Sequence, residues 1–336
     1  MIGLLFHRIE TKERGVRSHA RMTLCSIATA VLLVTGITTT VTAEAGYRHW
    51  GHAGWSPSEP AMRTDGSQVP GGCPIESPGG LYLYTVKGTG QGEGINVREI
   101  WVNARQAAGL PFDHEDSLDG VNALNFADFC PTPLPDGELL FVSNRGGACG
   151  DSVDIFSARD NPATGWSVAE SLGCHPHGPN TPGTELAPSL IRTVWGTFLF
   201  YSTNWDPRTG EIGDQDIYVS YLRGDGTFSA GKRLGWPINT KYDDQQPNVS
   251  QDGREIVFAS NRPSYEGDES GFDIFTAKRR FVFFDWRRVT NLSETVPFDT
   301  VDAGETRPAL SWDGERLYYG SGGVWISERD DYRRPF

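Results

Sequence analysis

Five prolines, Pro74, Pro131, Pro188, Pro247 and Pro308, recur at spacings of 57, 57, 59 and 61 residues, each at the same place in a repeated unit. The fullest copy lies between Asp243 and Phe275. An acid three residues before the proline leads into a short strand, an Asp252-Gly253 turn, a strand Ile256–Ser260, a Ser-Asn-Arg corner, a glycine-containing loop and a third strand opening Asp273-Ile274-Phe275. Asp-Gly between two apolar runs is a strong hairpin signal, because the turn needs positive φ and glycine adopts it without a Cβ clash. The unit is therefore an antiparallel meander.

The other copies follow the same order. The first turn reads Gly79-Gly80, Asp136-Gly137, a diverged Arg192–Gly196 and Asp313-Gly314. The second strands are Leu81–Thr85, Leu139–Ser143, Phe198–Ser202 and Leu317–Gly320, and the third open at Glu99, Asp154, Asp216 and the weaker Gly323. A period of this size, filled with short strands and no helical periodicity, predicts an all-β chain: a single five-bladed β-propeller of four-stranded antiparallel blades. A sandwich also has many short strands, but it has no reason to repeat its sequence.

Ahead of the repeats, residues 1–21 carry five basic residues against two acidic ones, and Met22–Ala43 is uncharged. The apolar core Ile27–Val34, followed by small residues ending Val41-Thr42-Ala43, predicts a signal peptide over 1–43. A retained membrane anchor is the rival, since about 20 uncharged residues can span a bilayer; the threonine-rich second half and small-residue ending favour cleavage, leaving no stable membrane span. Residues 44–68 form a polar segment, and 69–336 the propeller. Blade five runs out of chain after its third strand, and Gly54-Trp55-Ser56 matches Gly165-Trp166-Ser167 in an outer strand. The segment around Trp55 is thus the candidate to close blade five; Tyr332–Phe336 is the alternative.

Without 1–43 the chain has 25 Lys+Arg against 41 Asp+Glu, a net of −16. That balance argues against nucleic acid and anionic membranes as partners. A protein, glycan or small ligand stays open, as does a monomeric state. An exported location, periplasmic or secreted, fits the four cysteines that remain, Cys73, Cys130, Cys149 and Cys174, which predict two disulfides. Cys149 is expected to pair with Cys130 or Cys174.

The pattern Pro-x-x-Ser-x-Asp-Gly-x-x-Ile-x-Phe-x-Ser-Asn-Arg, followed by Asp-Ile-Phe, over 247–275 resembles the WD40-like (PD40) repeats of the propeller domain of TolB and its bacterial relatives. Blades two and four match closely, and the resemblance covers about 74–330. It implies the propeller fold and leaves function open between binding modules, scaffolds and propeller appendages of peptidases. The extra N-terminal α/β domain of the familiar TolB arrangement has no room here.

Three constellations are candidates for chemistry. Asp128, Glu185, Asp244 and Glu305, three before their prolines, place four carboxylates where inner strands enter beside the channel. They form a candidate ligand site with room for a divalent cation, or else they brace the blades by pairing with Arg145 and Arg262. Asp154, Asp216 and Asp273 head third strands and suit loop pinning. His175 and His177, beside Cys174, are candidate metal ligands, while His114-Glu115-Asp116 reads as a polar turn. No Gly-x-Ser-x-Gly elbow or phosphate loop is present, so no cofactor is implied beyond a cation. Two readings remain: a non-enzymatic binding or scaffold module, or a carbohydrate-active hydrolase or lyase using channel carboxylates.

Overall fold

The computed structural model describes residues 54–88, 97–146, 149–150, 152–263, 271–292 and 306–329, all within the unit His49–Phe336. The predicted signal peptide over 1–43, Glu305 and Tyr332–Phe336 lie outside them. The chain is a five-bladed β-propeller. Blade one comprises β2 (Gly72–Glu76), β3 (Tyr82–Gly88), β4 (Arg98–Ala104) and β5 (His114–Ser117), so His114–Asp116 lie in an outer strand and not in a turn. Blade two comprises β6 (Asp128–Pro133), β7 (Glu138–Ser143), β8 (Asp154–Asn161) and two short outer strands, β9 (Gly165–Trp166) and β10 (Glu170–Ser171). Blade three is β11 (Glu185–Thr193), β12 (Gly196–Asp206), β13 (Glu211–Tyr221) and β14 (Lys232–Arg233). Blade four is β15 (Asp244–Val249), β16 (Glu255–Ser260), β17 (Asp273–Lys278) and β18 (Arg287–Asn291).

Blade five is closed by the start of the described chain. β19 (Thr306–Leu310), β20 (Arg316–Gly320) and β21 (Val324–Glu328) are joined by β1 (Glu59–Pro60). Glu59 stands opposite Ile326 and Pro60 opposite Trp325; Trp55 bridges to Arg329. Trp55 is 4% exposed, and Arg329 stacks over its ring at 4.1 Å while holding Glu255 of blade four through two 3.0 Å hydrogen bonds. The same segment explains why Gly323 breaks the series of strand-heading acids. A Cβ there would lie 2.7 Å from the Gln68 side chain, whose amide donates to the Val324 carbonyl at 2.9 Å.

The apolar core is divided among the seams between blades. Phe141, Ile155 and Leu190 belong to one cluster, Phe200, Ile256 and Phe275 to a second, Trp55, Val257 and Leu317 to a third, and Leu83, Tyr318 and Val324 to a fourth. Each blade face is covered by its neighbour, as an alternating strand requires. At the seam of blades five and one, Glu76, 1% exposed, binds Arg316 at 3.2 Å, Tyr318 at 3.1 Å and Arg105.

The repeated prolines have a local role that their spacing alone did not show. The residue before each one, Cys73, Cys130, Ala187, Gln246 or Arg307, has φ between +48° and +53°, and the ladder of every inner strand slips there. A proline has no N–H to give to a ladder, so the strand bulges at this point.

Candidate functional site

Antiparallel pairing puts the beginning of each inner strand, the end of the second and the beginning of the third on one face, the entry face. Three of the four predicted acids are described there, and all three, Asp128, Glu185 and Asp244, are 0% exposed. Each follows a loop that is pinned from within. Asn122, Asn180 and Asn239 each accept from and donate to the backbone of one third-strand isoleucine, Ile100, Ile155 and Ile217 respectively. This asparagine series, five or six residues before each acid, is a signal that the sequence itself carries.

In blade four, Asp244 is bound by Arg262, by Ser260 Oγ at 2.6 Å and by the Thr240 amide at 2.6 Å. Arg262 also donates to the carbonyls of Pro237 and Ile238 and lies 5.2 and 4.8 Å from the centres of the stacked Phe258 and Phe275 rings. Blade two repeats the arrangement. Arg145 reaches Asp128 at 2.5 Å over Phe141 and Phe156, and the Ala123 amide donates to Asp128 at 2.6 Å. In both blades a guanidinium occupies the place a bound cation would take.

Blade three is built differently. Glu185 stands opposite Thr203 in the ladder, as Asp244 stands opposite Ser260, so Thr203-Asn204-Trp205 is the true equivalent of Ser260-Asn261-Arg262. The arginine is replaced by Trp205, and the two phenylalanines by Tyr201 and Tyr218, stacked at 6.2 Å. Glu185 receives hydroxyl donors from Thr181 at 2.5 Å and Thr203 at 2.7 Å, and the Thr181 amide at 3.2 Å. No basic side chain among the described residues pairs with it. Asp154 of blade two lies beside it, 0% exposed, and among the described residues neither of its oxygens meets a donor of good geometry. Burial pushes the Asp154 carboxyl up to about 6; burial, with Asp154 alongside, pushes Glu185 well above the usual carboxylate range. This is what a low-dielectric site without a counter-charge does to an acid. By contrast Asp216 is gripped by Arg233 through two 2.6 Å bonds, and Asp273 receives Asn291 at 2.7 Å.

The loop before Glu185 is fastened by a disulfide, Cys149–Cys174. The expectation of a second disulfide needs correction: Cys73 and Cys130 are thiols, with their sulfurs 2.9 Å apart. His175 packs edge-on against Trp205 at 4.9 Å, while His177 is exposed and offers its backbone carbonyl to Arg223. The two imidazoles are therefore engaged separately, and among the described residues no three His, Cys, Asp or Glu side chains converge as metal ligands do.

At the axis, Arg307 of blade five reaches across to blade two. It is 0% exposed and donates to the Pro131 carbonyl at 2.9 Å and Thr132 Oγ1 at 3.1 Å, while its own amide is held by Gln246 at 2.7 Å. The channel is crossed by this side chain.

No protein-family model matches the chain, and no curated protein does. Solved structures do. A structure from Bacteroides thetaiotaomicron assigned as a glycosidase is 12% identical with a TM-score of 0.50, over 82% of this chain and 93% of the other. One from Agrobacterium tumefaciens assigned to TolB is 17% identical with a TM-score of 0.41, over 80% and 74%. The α-L-arabinofuranosidase from Lactobacillus brevis is 13% identical with a TM-score of 0.46, over 78% and 90%. At these identities the likeness extends to the fold alone.

Proposed function

We propose that this chain is an exported, monomeric five-bladed propeller that works as a non-enzymatic binding or scaffold module, taking a protein, glycan or small ligand on its entry face. The observation that carries this reading is the commitment of the inner acids to the scaffold. Asp128 and Asp244 are consumed by Arg145 and Arg262, and Arg307 crosses the axis where a sugar would have to sit. Glycoside hydrolysis needs two carboxyl groups flanking an accessible bond. The Cys149–Cys174 disulfide supports a location outside the reducing cytosol, periplasmic or secreted.

The second reading, a carbohydrate-active hydrolase or lyase, is favoured by one observation: Asp154 and Glu185 are unlike acids with raised proton affinities standing together. Their full burial keeps a substrate from them. Thermal unfolding of the purified protein against a glycan panel and calcium, with reducing-sugar release assayed in parallel, separates the readings. A rise in Tm without release is the expected result, since a ligand bound only by the folded state must stabilise it. Release of reducing ends that Glu185→Gln abolishes would overturn the binding reading. Calcium in the series tests the divalent cation expected from the acids of the inner strands.

A further inference from the structure

The bulge before each proline gives one residue per blade a place beside the axis, and in two neighbouring blades that residue is cysteine. Cys73 and Cys130 have φ of +48° and +50°, and their Sγ atoms are 2.9 Å apart although 57 residues separate them in the chain. Cys130 is 0% exposed, whereas Cys73 is partly exposed. Next to them lies the Arg307 guanidinium, fully buried, with two of its nitrogens, Nε and Nη1, making no hydrogen bond among the described residues. An unneutralised guanidinium in so dry a place is costly, and a thiolate beside it offsets that cost. The charged groups acting on the pair are Arg307 from β19 and Arg98 from β4.

We propose that Cys73 and Cys130 form a thiol–disulfide exchange site at the channel wall, with Arg307 as its positioning residue and a small organic disulfide as its reaction partner. The resting pair holds one proton between two sulfurs. Against the cost of burial, the Cys73 thiol as hydrogen-bond partner and the Arg307 charge bring Cys130 down to about 6. Cys73, whose largest influence is its hydrogen bond to Cys130, is raised well above the ordinary thiol range. Reaction begins when the proton passes from Cys73 to Cys130, so that the sulfur of the less buried residue becomes the thiolate. Cys73 Sγ attacks the disulfide R–S–S–R, forming a mixed disulfide and expelling RS⁻, which takes the proton from Cys130. Cys130 Sγ then attacks Cys73 Sγ, the mixed disulfide breaks, and the second RS⁻ takes a proton from solvent. Two cysteine sulfurs are oxidised and one R–S–S–R is reduced to two R–SH. The product is a covalent tie between the inner strands of blades one and two.

The full-length protein, equilibrated without oxygen in graded mixtures of reduced and oxidised glutathione, alkylated and mapped by peptide mass, tests this. A Cys73–Cys130 peptide should appear with its own midpoint while Cys149–Cys174 stays linked. Two thiols that remain alkylatable in oxidised glutathione alone, or glutathione that accumulates on Cys73 without passing on, would overturn the proposal. The positioning role has a separate readout. In the reduced protein the rate of alkylation of the pair should rise with a midpoint near pH 6, shift upward by about two units in Arg307→Gln, and return toward the wild-type profile in Arg307→Lys. A folded Arg307→Gln with an unchanged profile removes Arg307 from the site. If that variant does not fold, Arg307→Lys decides: it must keep a midpoint below that of an ordinary thiol.

Discussion

Blades three and four carry the same repeat, and at the entry of the inner strand they solve the same problem in opposite ways. In blade four a buried aspartate is neutralised by an arginine that lies on two phenylalanines and caps a loop. In blade three the arginine is a tryptophan, the phenylalanines are tyrosines whose hydroxyls reach the Pro179 and Trp205 carbonyls, and the acid sits among hydroxyl groups with its proton affinity raised by burial. The first arrangement relies on charge compensation and the second on avoiding charge altogether. A buried carboxyl is tolerated either way, but only the second makes the fold sensitive to pH in the range where ordinary carboxylates have already ionised.

The largest effect is expected from Arg262→Leu, which strands Asp244 without its counter-charge. Breaking a buried pair on one side costs about 3–5 kcal/mol, read from the urea midpoint at pH 7. A loss below about 1 kcal/mol would mean that hydroxyl and amide donors suffice in blade four too, and the contrast between the blades would disappear.

Glu185→Gln should act in the other direction. Asp154 and Glu185 are raised in the folded state above their ordinary 3.8 and 4.5, so between the ordinary and the raised value of each the folded state binds more protons than the unfolded chain. The stability they contribute is therefore largely present near pH 4 and is lost as pH rises through about 6 and beyond. Removing one acid should leave stability at pH 4 unchanged and raise it at pH 8, because burial penalises the charged carboxyl only where it would ionise. Chemical unfolding at the two pH values measures it, and equal stability changes at both would refute the neutral-acid account.

The reverse graft, Trp205→Arg, should flatten the same pH dependence by about 1 kcal/mol between pH 5 and 8, because an opposite charge favours the ionised acid. An unaltered slope would show that the arginine is not what separates the blades. The smallest change is expected at Arg233→Met, which unpairs the partly exposed Asp216; ion pairs of this kind are worth about 0–1 kcal/mol, and a larger loss of Tm would place blade three's outer strand under the same charge control as blade four.

Much of this architecture was legible in the chain. The Asp-Gly turns and the proline period define the blades because turn geometry and a missing N–H are local demands that only certain residues meet. The match of Gly54-Trp55-Ser56 to an outer strand likewise pointed to the segment that pairs with β21. What stayed hidden depended on register and on distance across the ring. The longer first hairpin of blade three, with its diverged turn at Arg192–Gly196, hides the register, so Ser202 takes the apparent place of Ser260 and the substitution of Trp205 for the arginine goes unseen. Cys73 and Cys130 mark two equivalent places before the repeated prolines, but Ala187, Gln246 and Arg307 share no chemistry with them or with one another, so residue type alone does not reveal that all five take the same bulged conformation. The Glu76 cluster joins side chains more than 200 positions apart.

The pairing of β1 with β21 also fixes the order in which this protein can be finished. The strand that completes blade five is made early in synthesis, yet its partner, Val324–Glu328, is among the last segments described. Until the ribosome has delivered that partner, Trp55 has no indole pocket and Arg329 cannot bind Glu255. A chain broken off before Val324 can stack four blades but leaves two unpaired edges facing each other, the kind of surface that proteases and neighbouring chains seize. The closing strand thus acts as an assembly check, passing a blade as native only when both β1 and β21 have been made.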